Sequence, residues 1–503
     1  MFHKSPYIII GSGMAGLAVA SLLSQDASPV TVLEQNWLPG GCMSSYPRKG
    51  YIFEAGATTL VGLEKNMPLG HLLGQLGITL DAWELEIPMK VLLKDGTEIT
   101  RYHELEDWIL EAERVFGKKN QRAFWEYCFN VSQFVWDTSL KQRAFPPSSF
   151  SDLLSAARNF EFKQLGFARL AFQSMEGLLR KYELTDNQRF VDFVNEQLLI
   201  TAQNYLTEVN VLFGATALCY TNYKNYYVEG GLIKVANLLV DYIEDHGGNV
   251  LMRKPVDKVS YKDGFYEVES LYRGEKELYT AERLISAIPL NNTLKIFGGP
   301  KVERKHKKKL MKSSQLNSAF TMGIVFPRKK EFDCIHYQIH LKKPLPQIGS
   351  HSIFLSISHP DDRLRCGPNE YVASISTHIP DPLNHVIEDK SEIEAAIITA
   401  LSEHGFFEAE KVIFSHSSTA GAWEKWTARS WGFVGGYPQY MSIKPWQMMD
   451  ARLDHKRAYI CGDSTYPGQG IPGACLSGII AYEKITLDQK KPLENLGLVR
   501  KSL

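Results

Sequence analysis

No stretch of this chain reaches the roughly twenty consecutive apolar residues that a transmembrane helix needs. Neither sign of charge is in excess. There are 56 Lys and Arg against 56 Asp and Glu, so the net charge is zero and nothing electrostatic points to nucleic acid. Cysteine is sparse. Cys42, Cys128, Cys219, Cys334, Cys366, Cys461 and Cys475 are scattered, odd in number and free of Cys-x-x-Cys pairs. That argues against a disulfide framework or a metal site and for a reducing compartment. No Ser/His/Asp set or His-Glu-x-x-His stretch appears, and internal repeats and low-complexity tracts are missing. What remains is an ordinary globular composition, 44% hydrophobic and 22% charged over 503 residues, enough for a large core and two or more domains.

The most informative stretch runs from Tyr7 to Glu34. An apolar run, Tyr7–Ile10, leads into Gly11-Ser12-Gly13-Met14-Ala15-Gly16. A small apolar helix pattern follows, then the apolar run Val30–Leu33, closed by Glu34. Each part has a physical role. Gly11 permits a tight turn, Gly13 lets backbone N–H groups approach a pyrophosphate, and Gly16 lets the helix pack closely on the sheet. The helix N-terminus, with Met14 and Ala15 in its first turn, faces the anion, and Glu34 can hold a ribose hydroxyl pair. A glycine-rich hairpin is the plainer alternative, but it needs neither the second strand nor the acid. The apolar N-terminal stretch superficially resembles a signal peptide, yet its glycines belong to this fingerprint.

Just past Glu34 come Pro39-Gly40-Gly41-Cys42 and Gly50-Tyr51-Ile52-Phe53-Glu54-Ala55-Gly56. The adjacent glycines give a second close backbone approach to a cofactor, although a simple Pro-Gly turn would look similar. Near the other end, a short apolar strand runs into Gly462-Asp463, a glycine- and proline-rich loop, and an apolar helix expected to begin near Pro472, just after Gly470 and Ile471. Asp463 is placed to accept a hydrogen bond from a sugar-alcohol hydroxyl. The helix N-terminus can direct its dipole at a ring edge that becomes anionic on reduction.

These segments, with Phe193–Val259 and Gly432-Phe433-Val434-Gly435-Gly436-Tyr437-Pro438-Gln439, resemble the carotenoid isomerase and phytoene desaturase family of FAD enzymes, which includes retinol saturase. They are spread over nearly the whole chain. The flavin motifs are shared with amine oxidases, whereas Gly432–Gln439 and the loop after Gly462 are more particular to the polyene branch. Many relatives carry Arg directly after the glycine pair, where this chain has Cys42. The isomerase and saturase branches accept a small residue or Cys there.

The resemblance implies an α/β fold. Its core is a discontinuous Rossmann-like FAD-binding domain of the glutathione-reductase and amine-oxidase type, interleaved with an antiparallel-sheet substrate domain and a helical lid. The expected division is 1–75, 221–300 and 446–503 for FAD, 76–220 for a mostly helical lid region, and 301–445 for the substrate sheet. Strands are read at Ser318–Phe326, His351–Ser358 and Tyr371–His378, and at Asn249–Leu251 and Lys254–Tyr261. Val256 sits where relatives hold the adenine through the backbone. Ala168–Phe213 reads either as helical core or as a lid lining a long apolar tunnel, with Leu198–Asn204 on the substrate side.

The implied substrate is an apolar polyene, with FAD as the cofactor. A polyene offers allylic C–H bonds and a conjugated system but no charge, so the flavin carries the hard step while the protein orients and excludes water. No catalytic side chain is named. His351, His359 and His378 read as structural, and the electron acceptor is not legible because only one dinucleotide fingerprint is present. The expected location is cytoplasmic. Two basic clusters, Lys305, Lys307, Lys308, Lys309 and Lys312, and Arg328, Lys329 and Lys330, are either solvated faces or a rim on an anionic membrane. In the second case each contributes about 1 kcal/mol, and the resemblance favours that case.

Two rival readings remain. An amine or porphyrinogen oxidase would need an aromatic cage, for which Trp423, Trp426 and Trp431 are available, together with a lysine near the flavin. A carrier of lipid groups on the same fold would lack the intact flavin motifs seen here.

Overall fold

In a computed structural model, which describes residues 2–297, 300–454 and 457–489, the strand Phe2–Ile10 lies parallel to Val30–Leu33 on one side and to Glu275–Ser286 on the other. Tyr7, Ile8, Ile9 and Ile10 are all buried, as a central parallel strand covered on both faces requires. Asn249–Leu251 extends the sheet beyond Val30–Leu33. On the far side Phe265–Tyr272 and Val256–Lys262 are added antiparallel, the latter starting two residues later than the sequence suggests. Ala458–Ile460 pairs with the end of Glu275–Ser286. Three separated pieces of chain therefore build one seven-stranded sheet.

The helix Met14–Gln25 is buried from Met14 to Ser24. A helix apolar on all sides belongs in an interior, and this one shares its core with the helices Ile233–Asp245 and Gly470–Gln489. The last helix starts at Gly470, one half-turn before the expected Pro472. A Cβ on Gly478 would lie 2.5 Å from Ala15 O and 2.8 Å from Ala18 Cβ, so these two helices touch backbone to backbone.

A second seven-stranded sheet runs in the order Phe414–Ser418, Asn317–Pro327, Glu370–Pro380, Ser352–Ile357, His336–His340, Met89–Leu92, Glu98–Arg101. The three strands expected here are present and antiparallel. The last two strands come from the stretch expected to be mostly helical. They are short: Met89–Leu92 pairs parallel with His336–His340 on one side and antiparallel with Glu98–Arg101 on the other, so a tertiary contact joins the pair to the sheet.

Helices between Leu105 and Leu218 pack beside this sheet around Trp108, Trp125, Phe190 and Phe193. Arg101 is fully buried among them. Its guanidinium stands 4.1 Å from the Trp108 ring and donates to Gln197 Oε1 at 2.7 Å and Leu218 O at 2.6 Å. Burial without a carboxylate partner draws its pKa down to about 10.

Residues 490–503, part of the 446–503 stretch assigned to the cofactor domain, lie outside the described residues. Among the described residues no helix is long and apolar enough to cross a membrane, and no His/Cys/Asp/Glu cluster is arranged for a metal.

Candidate cofactor and substrate site

A single cavity of about 1120 Å³ runs from the glycine turn after the first strand to the helices around residues 134–217. Its glycine-turn end is built by backbone. Gly11 turns the chain at φ +98°, and its N–H donates to Leu33 O at 2.8 Å. Gly16 fits against the turn so closely that a Cβ there would sit 2.2 Å from Gly11 O. Gly13 caps the first helix with no side-chain partner for the helix N–H groups. A Cβ on Gly13 would meet no atom within 4 Å, so the cradle in front of those donors is open. The Gly40-Gly41 pair lies against it, with Gly40 N–H donating to Ser12 O at 2.9 Å.

The cavity collects most of the residues expected from sequence: Gly11, Gly13, Met14, Ala15, Glu34, Gly40, Gly41, Cys42, Val256, Gly462, Asp463, Gly470, Ile471 and Pro472 all line it. Ser12 and Gly16 do not; they support the turn from behind. Ser12 donates through both N and Oγ to Glu34 Oε2, at 2.8 and 2.7 Å, and Asn36 N–H donates to Glu34 Oε1 at 2.8 Å. The Glu34 carboxylate is thus held rigidly at the cavity edge.

The distant motifs converge as well. A Cβ on Gly436 would lie 2.5 Å from Asp463 O, and Tyr437 N–H donates to that oxygen at 3.2 Å. Gln439 N–H donates to Ala202 O, and Asn204 Nδ2 donates to Gln439 O. The Gly432–Gln439 loop therefore joins the Gly462-Asp463 turn to the 198–204 segment, of which Ile200–Gln203 line the cavity.

One charged residue here is not marked by any sequence motif. Arg429 Nη2 donates to Asp463 Oδ2 at 2.7 Å. Burial opposes its charge, but Asp463 outweighs burial and keeps the guanidinium protonated. Its Nη1 is buried and has no hydrogen-bond partner in the protein. Burial pushes the neighbouring Cys42 thiol up, although Arg429 pulls the other way.

The other end of the cavity is uncharged. Among the described residues, no Asp, Glu, Lys or Arg lines it from 134–223 or 319–378. His378 lines it, but burial draws its pKa to about 4, leaving it neutral at pH 7. His351 and His359 are not at the cavity, and of Trp423, Trp426 and Trp431 only Trp423 lines it. Two lysines line the cavity outside those stretches: Lys254 pairs with Glu277 at 2.6 Å and Lys295 donates to Ser430 at 2.8 Å. Cys461 is buried away from the cavity.

The family model for flavin containing amine oxidoreductases matches residues 14–485. The chain belongs to this family. Among curated proteins, this flavin-containing oxidoreductase is 25% identical to prolycopene isomerase 2 of Oncidium hybrid cultivar, over 98% of its own length and 86% of the relative's. It is 27% identical to all-trans-retinol 13,14-reductase of Danio rerio, over 57% and 48% of the two chains. A solved putrescine oxidase triple mutant superposes with a TM-score of 0.65 at 16% identity, covering 97% of this chain and all of the other, which establishes the amine-oxidase fold. Family membership brings a flavin. The open cradle at Gly13 and the orphaned Arg429 Nη1 fit an anionic, phosphate-bearing form of it.

Proposed function

We propose that this oxidoreductase uses FAD to act on a carotenoid- or retinoid-like polyene. The observation that carries the reading is the single cavity whose nucleotide end is a backbone cradle and whose far end is uncharged. A cationic amine would meet no counter-charge there, whereas a long conjugated hydrocarbon needs none. Support for FAD rather than a mononucleotide comes from the fingerprint, the ribose acid and the second glycine pair standing together.

In this reading the N–H groups at Gly13–Gly16 face the pyrophosphate, Glu34 the ribose, and Val256 the adenine edge. Asp463 meets the sugar-alcohol chain and the Gly470–Pro472 helix start meets the ring. When bound, the flavin supplies hydride or electron exchange with allylic carbons. The chain's own residues orient the polyene along the apolar wall and exclude water from it. The division into 1–75, 221–300 and 446–503 for FAD, 76–220 for the lid and 301–445 for the substrate sheet is part of the same proposal. So is contact with a lipid surface, because such substrates dissolve in bilayers. Support for isomerisation as the first activity to assay comes from the prolycopene isomerase relative, which aligns over 98% of this chain, against 57% for the retinol reductase.

The test is anaerobic turnover of a panel of cis and all-trans carotenoids and retinol in liposomes, followed by chromatography, with FAD supplied oxidised in one arm and reduced in the other. An isomer shift with reduced flavin is the expected result. New double bonds with oxidised flavin would identify a desaturase, and lost double bonds a saturase. A protein that holds its flavin and converts none of the panel would overturn the polyene reading.

A further inference from the structure

The helix Phe150–Arg158 is inverted for a protein surrounded by water. Its one acid, Asp152, is fully buried and ion-paired to Lys484 and Arg452, while Phe150 is 79% exposed and Leu153 points outward beside it. The inversion continues along the chain. Of sixteen large apolar side chains that stand exposed among the described residues, six fall between residues 150 and 172, so this is a patch and not scattered single residues. Phe162 reaches 86% exposure, and Phe172 meets Trp446 at 5.6 Å between ring centroids.

The same segment lines the cavity through Ala156, Ala157, Phe160 and Phe167, and Trp446 lines it as well. The patch therefore adjoins the cavity.

Its charge is one-sided. The only acids between residues 150 and 172 are Asp152 and Glu161, and Glu161 is paired with Lys141 at 2.8 Å. Arg158 and Arg169 stand exposed among the apolar side chains, and Lys444 Nζ lies 4.9 Å above the Phe172 ring. The basic clusters expected from sequence divide. From the first, Lys309 donates at 2.8 Å to Met448 O, two residues along the chain from Trp446. In the second, two of the three cations are paired with acids: Arg328 with Glu331 and Lys329 with Glu408.

Protruding phenylalanines and leucines need a matching pocket each in a rigid partner, but none in a fluid acyl phase. The flanking cations match anionic headgroups. We propose that this face rests on an anionic lipid bilayer. Phe150, Phe162, Leu165 and Phe172 enter the acyl boundary, and Arg158, Arg169 and Lys444 meet headgroups, so the cavity opens to the membrane interior. The inference rests on the polyene reading for its purpose, though not for its observations.

The experiment uses the full FAD-loaded chain with vesicles of phosphatidylcholine alone or mixed with phosphatidylglycerol. Parent, Phe150→Ser/Phe162→Ser/Leu165→Ser and Arg158→Glu/Arg169→Glu are compared by co-sedimentation, by sedimentation-velocity mass, and by turnover of substrate dissolved in detergent micelles. Parent protein should partition onto mixed vesicles in preference to neutral ones. The apolar variant should partition at least about tenfold less, a change of about 1.4 kcal/mol, and the charge variant should lose the preference for anionic lipid. Equal partitioning of parent and apolar variant overturns the proposal. So does a parent dimer that the apolar variant converts to monomer without vesicle binding, which would make the patch an interface between copies. Micelle turnover separates the two readings. Turnover with unchanged partitioning defeats the docking face alone, while lost partitioning with no turnover by any protein defeats the polyene reading alone.

Discussion

Arg429 and Asp463 place opposite charges side by side in a cavity whose far wall carries none. Replacing Arg429 with Ala strands a carboxylate that is only 16% exposed. A cost of about 3 kcal/mol in urea unfolding is expected, along with weaker FAD retention in a flavin titration. Arg429→Lys should recover part of the stability and little of the retention, because an ammonium cannot reach two acceptors as a planar fork does. Gly13→Val should give protein with an unchanged circular dichroism spectrum and at least about tenfold weaker FAD binding, read as flavin absorbance per chain. A variant that purified with full flavin would remove the cradle from the site. Gly13 was legible in sequence because its role is local: strand, turn and helix lie within one short stretch. Arg429 was not, because its partner lies 34 residues away across a tertiary contact.

The helix Phe150–Arg158 is fixed to the last helix by a buried ion cluster. Lys484 Nζ lies 3.2 Å from Asp152 Oδ2 and also contacts Asp450, and Arg452 holds Asp152 at 2.6 Å. Burial raises the Asp152 pKa, but Arg452 and Lys484 outweigh it and hold the carboxyl at about 2, below its ordinary 3.8. The folded value is depressed, so this stabilisation is fully present above about pH 4 and is lost as pH falls towards 2. Asp152→Asn should flatten that part of the stability curve, measured by thermal unfolding between pH 2 and 5. It should also increase proteolysis near residue 150. Helix and strand identities followed from periodicity where elements are long. The Met89–Leu92 and Glu98–Arg101 strands escaped because four residues carry too little pattern, and Lys484 passed as an ordinary residue in an apolar helix. Its reason for burial is an acid 332 positions earlier.

At the scale of the molecule, residues lining the cradle come from near both ends of the described chain and from its middle. A ligand bound there joins segments that are remote in sequence, and any ligand specific for the folded state adds stability by mass action. Free FAD at about one hundred times its Kd should add about 2.7 kcal/mol. The expected sign is a melting temperature that rises with FAD concentration and does not rise in Gly13→Val. Hydrophobic composition and the absence of long apolar runs anticipated a large core with no spanning helix. The outward apolar patch stayed hidden, since phenylalanines in a helical stretch look the same whether they face inward or outward.

The contact of Gly478 with Ala15 and Ala18 sets two helices back to back, and each begins at the cavity, one at Gly13 and the other at Gly470. Together they act as a caliper with fixed jaws. The spacing between the two helix starts is set by packing that no ligand supplies. Widening the pivot with Gly478→Leu should spread the jaws and blunt discrimination between FAD and shorter flavins, even though residue 478 touches neither.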